Sequence, residues 1–240
     1  MFINNRTFII SGGISGLGLA AALSLVSAGA HVALFDRNSD LGQDVLKSHF
    51  NSKPVARFYA VDVTDYNDLE SAVDHVVAWA SDSNFPLGGV VFLDINLTGT
   101  YSLATLVASR LARSPALPSE PDAERGVIIL VSSVAGLEGQ LGQTAYAASK
   151  GAIASLALPL ARDLARWGIR VNALAPAVFE TAMSAYMPEK TRQKLYSQLE
   201  FPKRFGKAEE FAEMALSLIR NGIVNGTIVR LDGATRMGKL

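Results

Sequence analysis

Short apolar runs rich in β-branched residues alternate with longer segments of helical period along the chain. The run at residues 127–131 shows the first pattern, and residues 145–166 show apolar positions that recur every three or four residues. Such an alternation is typical of βαβ units. The sequence therefore predicts an α/β fold, with a Rossmann-type doubly wound parallel sheet in a single domain.

The pattern predicts seven strands, seven helices and one long exposed loop. The strands are expected near residues 7–10, 31–35, 56–60, 89–92, 127–131, 170–174 and 227–231. The helices are expected near residues 16–28, 40–48, 65–80, 96–113, 145–166, 188–199 and 207–219. Residues 114–126, rich in proline and charge, are predicted to form an exposed loop before the fifth strand.

Composition narrows the partners that we expect. The 240 residues carry 22 basic and 22 acidic side chains, so nothing favours a nucleic-acid or anionic-membrane surface. We therefore expect the partners to be small molecules or other copies of the chain. The chain has no cysteine, which excludes disulfides and thiolate metal sites. The start lacks a signal-peptide pattern and no segment reaches transmembrane length, so we expect a soluble protein of the cytoplasm, with the mitochondrion left open.

The first chemical motif is a glycine-rich turn between the first strand and the first helix, Ser11-Gly-Gly-Ile-Ser-Gly-Leu-Gly18. Glycines there allow a tight turn and a close approach of backbone to a pyrophosphate, which the free amides of the helix N-terminus then face. The strand-turn-helix context favours this interpretation over a plain connecting turn. The predicted cofactor-binding residues in the turn are Ser11, Gly12, Ser15, Gly16, Leu17 and Gly18.

Two acidic positions extend the predicted cofactor site. Asp36 closes the second strand at the distance where a carboxylate accepts hydrogen bonds from a ribose diol, which favours NAD, although the adjacent Arg37 leaves NADP open. Alternatively, Asp36 is a solvated carboxylate at the end of the strand and has no part in binding. After the third strand, Asp62 and Val63 are expected beside an adenine ring. Alternatively, Asp62 or Thr64 caps the next helix.

Tyr146 and Lys150 are expected one helical turn apart on a shared face, with Ser133 thirteen positions upstream of the tyrosine. An ammonium close to a phenol helps to make the tyrosine a usable proton donor or acceptor near neutral pH. A tyrosine and a lysine at this spacing are ordinary by themselves. The position of Ser133 and the upstream glycine-rich turn favour redox chemistry at a carbonyl or an alcohol.

Taken together, the motifs described above, Asn96, and Pro176 with Thr181 resemble the short-chain dehydrogenase/reductase family over nearly the whole chain. Within the family, several segments resemble the type-2 3-hydroxyacyl-CoA dehydrogenases, also described as 17β-hydroxysteroid dehydrogenase type 10; these segments are residues 126–129, 139–146, 158–164, 201–204 and 230–237. The resemblance implies one domain over residues 1–240, with a nucleotide-binding part at about 1–131 and a catalytic and substrate part at about 132–240.

The resemblance also implies a role for each site residue. Tyr146 would be the general acid or base, Lys150 would bind the nicotinamide ribose and lower the pKa of the phenol, and Ser133 would hold the substrate oxygen. The backbone of residues 176–181, including Pro176 and Val178, and the Thr181 hydroxyl would hold the nicotinamide carboxamide. Metal binding is not expected, because the three histidines form no constellation with a carboxylate pair.

Two further features concern the turn after Pro176 and the segment that follows it. The family usually has glycine after Pro176, whereas Ala177 follows here, which is acceptable unless the turn needs a positive φ. Residues 182–199 resemble a mobile lid over the substrate; its Met183, Tyr186 and Met187 either line an apolar pocket or anchor a surface helix.

The main departure from the family lies between Leu87 and Asn96. Family members have an Asn-Ala-Gly turn, a loop and the first half of a long helix there, and this block is missing. Asn96 is therefore either a catalytic helper that positions a water toward the lysine, as in the family, or an ordinary helix cap. The same helix contributes to the family's subunit interface. The missing block would therefore also change the surface through which the expected homo-oligomer, a tetramer or dimer, forms.

Three explanations fit the missing block: a real variant with an altered pocket, a splice or gene-model product, or an inactive relative that keeps the fold for binding. The leading hypothesis is an oxidoreductase that transfers a hydride between NAD(H) and a secondary alcohol or its ketone, with a 3-hydroxyacyl-CoA or hydroxysteroid-like substrate. The alternatives are a catalytically impaired nucleotide-binding partner protein and an NADPH-dependent biosynthetic ketoreductase.

Overall fold

A parallel sheet of seven strands forms the centre of the computed structural model, which describes residues 2–51, 54–92, 97–115 and 121–236. The strands are β1 (Thr7–Ser11), β2 (His31–Asp36), β3 (Ala56–Ala60), β4 (Leu87–Phe92), β5 (Gly126–Val131), β6 (Ile169–Pro176) and β7 (Ile228–Leu231). They lie in the order β3-β2-β1-β4-β5-β6-β7. This order reverses between β1 and β4, and doubly wound folds bind ligands at the carboxyl ends of the strands at such a reversal.

Helices cover both faces of the sheet. They are α1 (Gly16–Ser27), α2 (Ser39–Phe50), α3 (Tyr66–Asp82), α4 (Leu97–Arg113), α5 (Ala135–Glu138), α6 (Thr144–Leu164), α7 (Ala182–Ala185), α8 (Glu189–Ser197) and α9 (Ala208–Arg220). Helices α1 and α9 pack together over one face, and α3, α4 and α6 pack over the other. Each face has its own apolar core. None of the described helices is long and apolar enough to span a lipid bilayer.

The burial of the central strands explains their composition. Strands β5 and β6 are buried at every residue, because helices lie on both of their faces. Such a strand has no solvent face that needs polar side chains, and β5 is accordingly an unbroken apolar run, whereas β6 also carries the buried Arg170 and Asn172. The predicted α/β fold with a doubly wound parallel sheet is therefore confirmed, and all seven predicted strands are present within a few residues of their expected ends.

The helix predictions are confirmed with two short helices added, and the prediction of the long loop needs correction. The structure adds α5 and α7, which are too short to show a helical period. Asn96, the predicted first residue of the fourth helix, lies outside the described residues, and α4 is described from Leu97. Of the exposed loop predicted over residues 114–126, residues 116–120 lie outside the described residues. The prediction was wrong at Glu124, which is buried against Arg170, and at Gly126, which is buried as the first residue of β5.

The strand before the departure from the family is irregular. The pairing of β1 with β4 shifts between Thr7 and Phe8, so that Gly88 is the extra residue of a bulge. A β-carbon on Gly89 would collide with the carbonyl oxygen of Val127 on β5, so glycine is needed there.

Candidate active site

The turn between β1 and α1 leaves the N-terminus of α1 open. Gly12 and Gly16 have φ values of 66° and 50°, in the left-handed region that glycine adopts without strain. Ser15 occupies the N-cap position, but its side chain makes no capping hydrogen bond, and the first turn of α1 contains no acidic residue. The first amides of α1 are thus not satisfied by a side-chain cap, and they carry the positive end of the helix dipole beyond the carboxyl end of β1.

The next two helices are capped instead. The side chain of Asn38 accepts a hydrogen bond from the Leu41 amide at the start of α2. At the start of α3, the carboxylate of Asp65 accepts hydrogen bonds from the amides of Asn67 and Asp68. Asp65 is therefore the cap of α3, and the alternative that Asp62 or Thr64 caps this helix was wrong.

Asp62 lies in the turn that precedes α3, with 38% of its side chain exposed. Its carboxylate accepts hydrogen bonds from the Thr64 hydroxyl at 2.6 Å and the Thr64 amide at 2.9 Å. These two bonds, with Arg37 nearby, lower the pKa of the Asp62 carboxyl. Asp62 is therefore a carboxylate at neutral pH, at the edge of the sheet where the adenine was predicted.

Val63 is covered by the first turn of α4. Only 6% of Val63 is exposed, and a β-carbon on Gly99 would lie 3.0 Å from the Val63 carbonyl oxygen. The glycine thus lets α4 approach the backbone of this turn closely. Of the two residues predicted beside the adenine, the structure leaves Asp62 open and buries the side chain of Val63.

Asp36 closes β2 and lies half-buried at the same edge of the sheet. Its carboxylate accepts a hydrogen bond of 3.2 Å from the Asn38 amide. The adjacent Arg37 is mostly exposed, and its Nε lies 3.7 Å from the Asp62 carboxylate. Arg37 is the cation that could pair with the 2'-phosphate of NADP. Its guanidinium therefore already lies close to another carboxylate, that of Asp62.

Tyr146 and Lys150 lie in the first two turns of α6 and differ sharply in exposure. Lys150 is 2% exposed, and its Nζ donates a hydrogen bond of 3.1 Å to the carbonyl of Val131 at the end of β5. The same Nζ lies 5.8 Å from the centre of the Tyr146 ring, whereas Tyr146 is 43% exposed. A buried ammonium thus lies beside a phenol that solvent or a substrate can reach.

Ser133 follows β5 and is 8% exposed. Its Oγ accepts a hydrogen bond from the Ala135 amide at 3.2 Å and donates one to the Pro176 carbonyl at 3.4 Å. The preceding Ser132 donates from its hydroxyl to the Lys150 carbonyl at 2.7 Å. The two serines therefore connect the ends of β5 and β6 to the helix that carries Tyr146 and Lys150.

Two glycines allow α5 to lie against α6 with backbone touching backbone. A β-carbon on Gly136 would lie 2.5 Å from the carbonyl carbon of Lys150, and one on Gly151 would lie 3.0 Å from the Gly136 oxygen. Neither glycine, nor Ser132, was predicted as part of the site. The available signal was sequence adjacency, since Ser132 precedes Ser133 and Gly151 follows Lys150.

Residues 177–181 follow β6, and Thr181 approaches the glycine-rich turn. Ala177 does not have a positive φ, so the alanine in place of the family's glycine causes no strain. The carbonyl of Val178 accepts a hydrogen bond from the Gly206 amide at 3.0 Å. Thr181 caps α7, and its methyl carbon lies 3.5 Å from where a β-carbon of Gly16 would be. Two segments predicted to hold the cofactor are thus adjacent.

The remaining predicted residues are less well placed. Tyr186 is 89% exposed, so it lines no pocket in this structure, and Met187 is half-buried. The side chain of Met183 and the whole of Asn96 lie outside the described residues, so their roles stay predictions. Across the described parts of the chain, no group of three acidic or histidine side chains could hold a metal ion.

Comparisons with known proteins agree with this arrangement. The family model described as short chain dehydrogenase matches residues 6–82 and 91–192. The human 3-hydroxyacyl-CoA dehydrogenase type-2 is 41% identical, with 95% of this chain and 94% of the relative covered. The Drosophila melanogaster enzyme of the same name is 37% identical, with 98% and 99% covered. A crystal structure of the type-2 enzyme from Mycobacterium avium superposes with a TM-score of 0.87 at 32% identity, covering 98% of each chain.

The same comparisons bear on the missing block. The alignment with the human relative spans 254 residues, more than the 240 of this chain, so that relative has residues that this chain lacks. The family match is also interrupted between residues 82 and 91, just before the predicted position of the block.

Proposed function

We propose that this chain, which belongs to the short-chain dehydrogenase family of oxidoreductases, transfers a hydride between NAD(H) and a secondary alcohol or its ketone. The observation that carries the proposal is the buried Lys150 ammonium 5.8 Å from the accessible Tyr146 ring, with Ser133 held at the adjacent strand end. Within the domain, residues 1–131 would mainly bind the nucleotide and residues 132–240 would act on the substrate.

The proton chemistry in this proposal belongs to Tyr146. In the oxidative direction, the Tyr146 phenolate accepts the proton of the alcohol, and in the reductive direction the phenol donates it to the forming alkoxide. The Lys150 ammonium favours the phenolate by charge proximity, and its burial strengthens this attraction. The Ser133 hydroxyl, oriented by Ala135 and Pro176, orients the substrate oxygen.

The residues present fit a dinucleotide. The first turn of α1 lacks both a side-chain cap and an acidic residue, as a pyrophosphate requires, whereas α2 and α3 are capped by their own side chains. Gly12 and Gly16 would let the backbone approach the phosphates, Asp36 would hold the adenosine ribose, and Thr181 would hold the carboxamide. When bound, the nicotinamide supplies the hydride acceptor or donor.

The charges at the edge of β2 and β3 favour NAD over NADP. The carboxylate of Asp36 would repel the 2'-phosphate of NADP. Arg37, which could attract that phosphate, already lies close to the Asp62 carboxylate. We expect Asp36→Ala to weaken NAD binding. An NADPH-dependent ketoreductase would instead show a higher kcat/KM with NADPH and little change of NADPH use in Asp36→Ala.

The substrate class comes from the relatives. Relatives that are 37–41% identical over nearly the whole chain are called 3-hydroxyacyl-CoA dehydrogenase type-2, and we propose a 3-hydroxyacyl-CoA or a hydroxysteroid-like alcohol as the substrate.

The test is NADH formation from NAD and a panel of 3-hydroxyacyl-CoA and hydroxysteroid substrates. We expect Tyr146→Phe to lower kcat by at least about a hundredfold, since general acid-base catalysis contributes about 10²–10⁴-fold. The matched control is Tyr101→Phe, which removes the hydroxyl of a tyrosine of similar exposure, 48%, on α4. The proposal fails if the wild type is no faster than Tyr146→Phe on a broad alcohol and ketone panel.

A second function is favoured by one observation, the residues that this chain lacks relative to the human enzyme. Their absence would leave a nucleotide-binding partner protein without efficient catalysis. Such a protein would bind NADH, as seen by cofactor fluorescence, yet show no turnover that depends on Tyr146. Resequencing the coding DNA around the junction of Val91 and Phe92 then separates a natural short form from an incomplete gene model.

A further inference from the structure

A cluster of four charged side chains lies beside the candidate site and has no part in the chemistry above. Arg230, in β7, donates from Nη1 to the Glu138 carboxylate and from Nε to the Asp232 carboxylate, both at 2.6 Å. Its Nη2 also reaches the carbonyl of Thr235 at 3.2 Å. Arg236 extends the cluster, with Nη1 3.1 Å from Asp232. These contacts connect the C-terminal segment to the last residue of α5.

Helix α5 carries that connection to the site within a single turn. Glu138 ends α5, and Ser133 begins the same turn, since its carbonyl accepts a hydrogen bond from the Gly136 amide at 3.0 Å. Gly136 in turn lies against the Lys150 backbone without room for a β-carbon. A movement of Glu138 would therefore be transmitted to Ser133 and to Lys150, because closely packed backbones cannot absorb it.

The opposite side of Ser133 is already fixed by the sheet. Pro176 accepts hydrogen bonds from the Ser133 hydroxyl and from the Val134 amide, and it lies beside Leu231 of β7. The Ser133 turn is thus held on its sheet side by backbone and on its outer side by the pair of Glu138 with Arg230. Both side chains of this pair are only about a quarter exposed, 22% and 25%.

We propose that Arg230 and Glu138 are positioning residues, which hold α5 so that Ser133 and Lys150 keep their places relative to Tyr146. The inference rests on the proposed function of these three residues. A bidentate or branched guanidinium contact fixes direction as well as distance, which a single point charge does not.

The test compares Glu138→Gln with Glu210→Gln. The second variant breaks another arginine-carboxylate pair, Arg204 with Glu210 at 2.6 Å, and that pair does not touch α5. We expect Glu138→Gln to lower kcat about tenfold, because small displacements of catalytic groups cost up to about a hundredfold. We expect NADH affinity to stay within about twofold in Glu210→Gln, since its carboxylate lies on α9, outside both the glycine-rich turn and α5.

A merely structural role would lower the melting temperature without moving ionisation at the site. Near-ultraviolet difference titration, with Tyr146→Phe subtracted, reports ionisation of the Tyr146 phenol without any turnover. We expect the Tyr146-dependent step to move to higher pH in Glu138→Gln, to move less in Arg230→Lys, and to stay in place in Glu210→Gln.

Each outcome decides one question. An unchanged kcat and an unchanged Tyr146 titration in Glu138→Gln would overturn the positioning role. If Glu138→Gln does not fold, Arg230→Lys, which keeps a cation near Glu138, answers the same question. A wild type without turnover on any substrate would contradict the proposed function. A shifted titration of Tyr146 in Glu138→Gln would still support the positioning of Lys150 and Tyr146.

Discussion

Two arginines at opposite edges of the sheet use similar chemistry in different surroundings. Arg170, near the amino end of β6, pairs with Glu124 at 2.9 Å, and both side chains are 8% exposed. Its other donors reach the carbonyls of Leu218, Ile219 and Val224 at 2.7–2.9 Å. Arg230, at the carboxyl end of β7, is 25% exposed and binds two carboxylates and one carbonyl.

The difference lies in what each arginine connects. Arg170 satisfies carbonyl groups at the C-terminus of α9, which otherwise lack a partner within the helix. None of the predicted site residues that the structure describes lies at that edge of the sheet. Arg230 connects β7 to α5, which carries the Ser133 turn. Because Arg170 is buried and its guanidinium makes four hydrogen bonds, we expect it mainly to stabilise the fold. We expect Arg230 mainly to determine the geometry of the candidate site.

The largest effect is expected from Arg170→Met. It leaves the Glu124 carboxylate buried without its cation and removes the donors for three carbonyl groups. Breaking a buried ion pair from one side costs about 3–5 kcal/mol in the free energy of unfolding. Urea unfolding followed by circular dichroism measures this loss.

The double variant Arg170→Met with Glu124→Leu sharpens that result. It removes the stranded carboxylate, so we expect it to recover part of the lost free energy of unfolding. At temperatures where Arg170→Met is still folded, its kcat should match that of the wild type. A variant that stays folded but loses kcat about as strongly as Glu138→Gln would show that the two edges of the sheet are not separate in function.

The next largest effect is expected at the carboxyl edge, from Gly136→Ala. The added β-carbon would lie 2.5 Å from the Lys150 carbonyl carbon, so α5 and α6 have to separate. Overpacking of this kind typically costs about 1–3 kcal/mol. Because the displaced groups are Ser133 and Lys150, kcat should fall as well. Gly222→Ala is the control, since no atom lies within 4 Å of its β-carbon position; equal kcat values in the two variants would contradict the assigned role of the contact.

The sheet and the Tyr146-Lys150 face were predictable because local sequence determines them. An apolar run predicts a buried strand, and a spacing of four residues places two side chains on one helix face wherever the helix lies. The strand order then brings the ends of β1, β2, β5 and β6 to one edge, which is why Ser11, Asp36, Ser133 and Pro176 meet there.

Other features could not be predicted because they depend on distant partners or on a single turn. Glu124 looked like a loop residue, and only Arg170, 46 positions away, makes its burial possible. Asp62 and Asp65 are chemically equal as helix caps, and the path of the backbone decides between them. Helix α5 has only four residues, which is too short for a helical period to appear in the sequence. The contact of Gly136 with Lys150 is a tertiary contact, which local sequence does not determine.

A smaller effect on stability is expected from Arg230→Met. Arg230 and Glu138 are each about a quarter exposed, and Asp232, which is only 9% exposed, keeps Arg236 as a cation partner at 3.1 Å. The loss should therefore be about 1 kcal/mol at low salt and should shrink as salt is added. Urea unfolding at two salt concentrations measures it beside Arg170→Met. Should Arg230→Met cost as much as Arg170→Met, and independently of salt, the distinction between the two arginines would be wrong.

The smallest effect on catalysis is expected from His31, the first residue of β2 at the amino edge. Its ring is stacked between Phe85 at 3.7 Å and Trp79 at 5.1 Å, and within the described part of the chain its Nδ1 has no hydrogen-bond partner. Burial and the nearby Arg57 cation, which lies over the Trp79 ring, lower the pKa of His31 below 6.5.

The sign of the resulting pH dependence follows from the direction of that shift. Because the folded-state pKa is lowered, the unfolded chain binds more protons below pH 6.5, and the wild type should lose stability as pH falls from 6.5 through the folded-state pKa. His31→Phe keeps an aromatic ring in the stack but cannot titrate, so its free energy of unfolding should fall less between pH 7 and pH 5. Since His31 lies at the amino edge, away from Tyr146, the pH profile of kcat should be the same in both proteins. A shifted kcat profile in His31→Phe would mean that the amino edge, like Glu138, reaches the site.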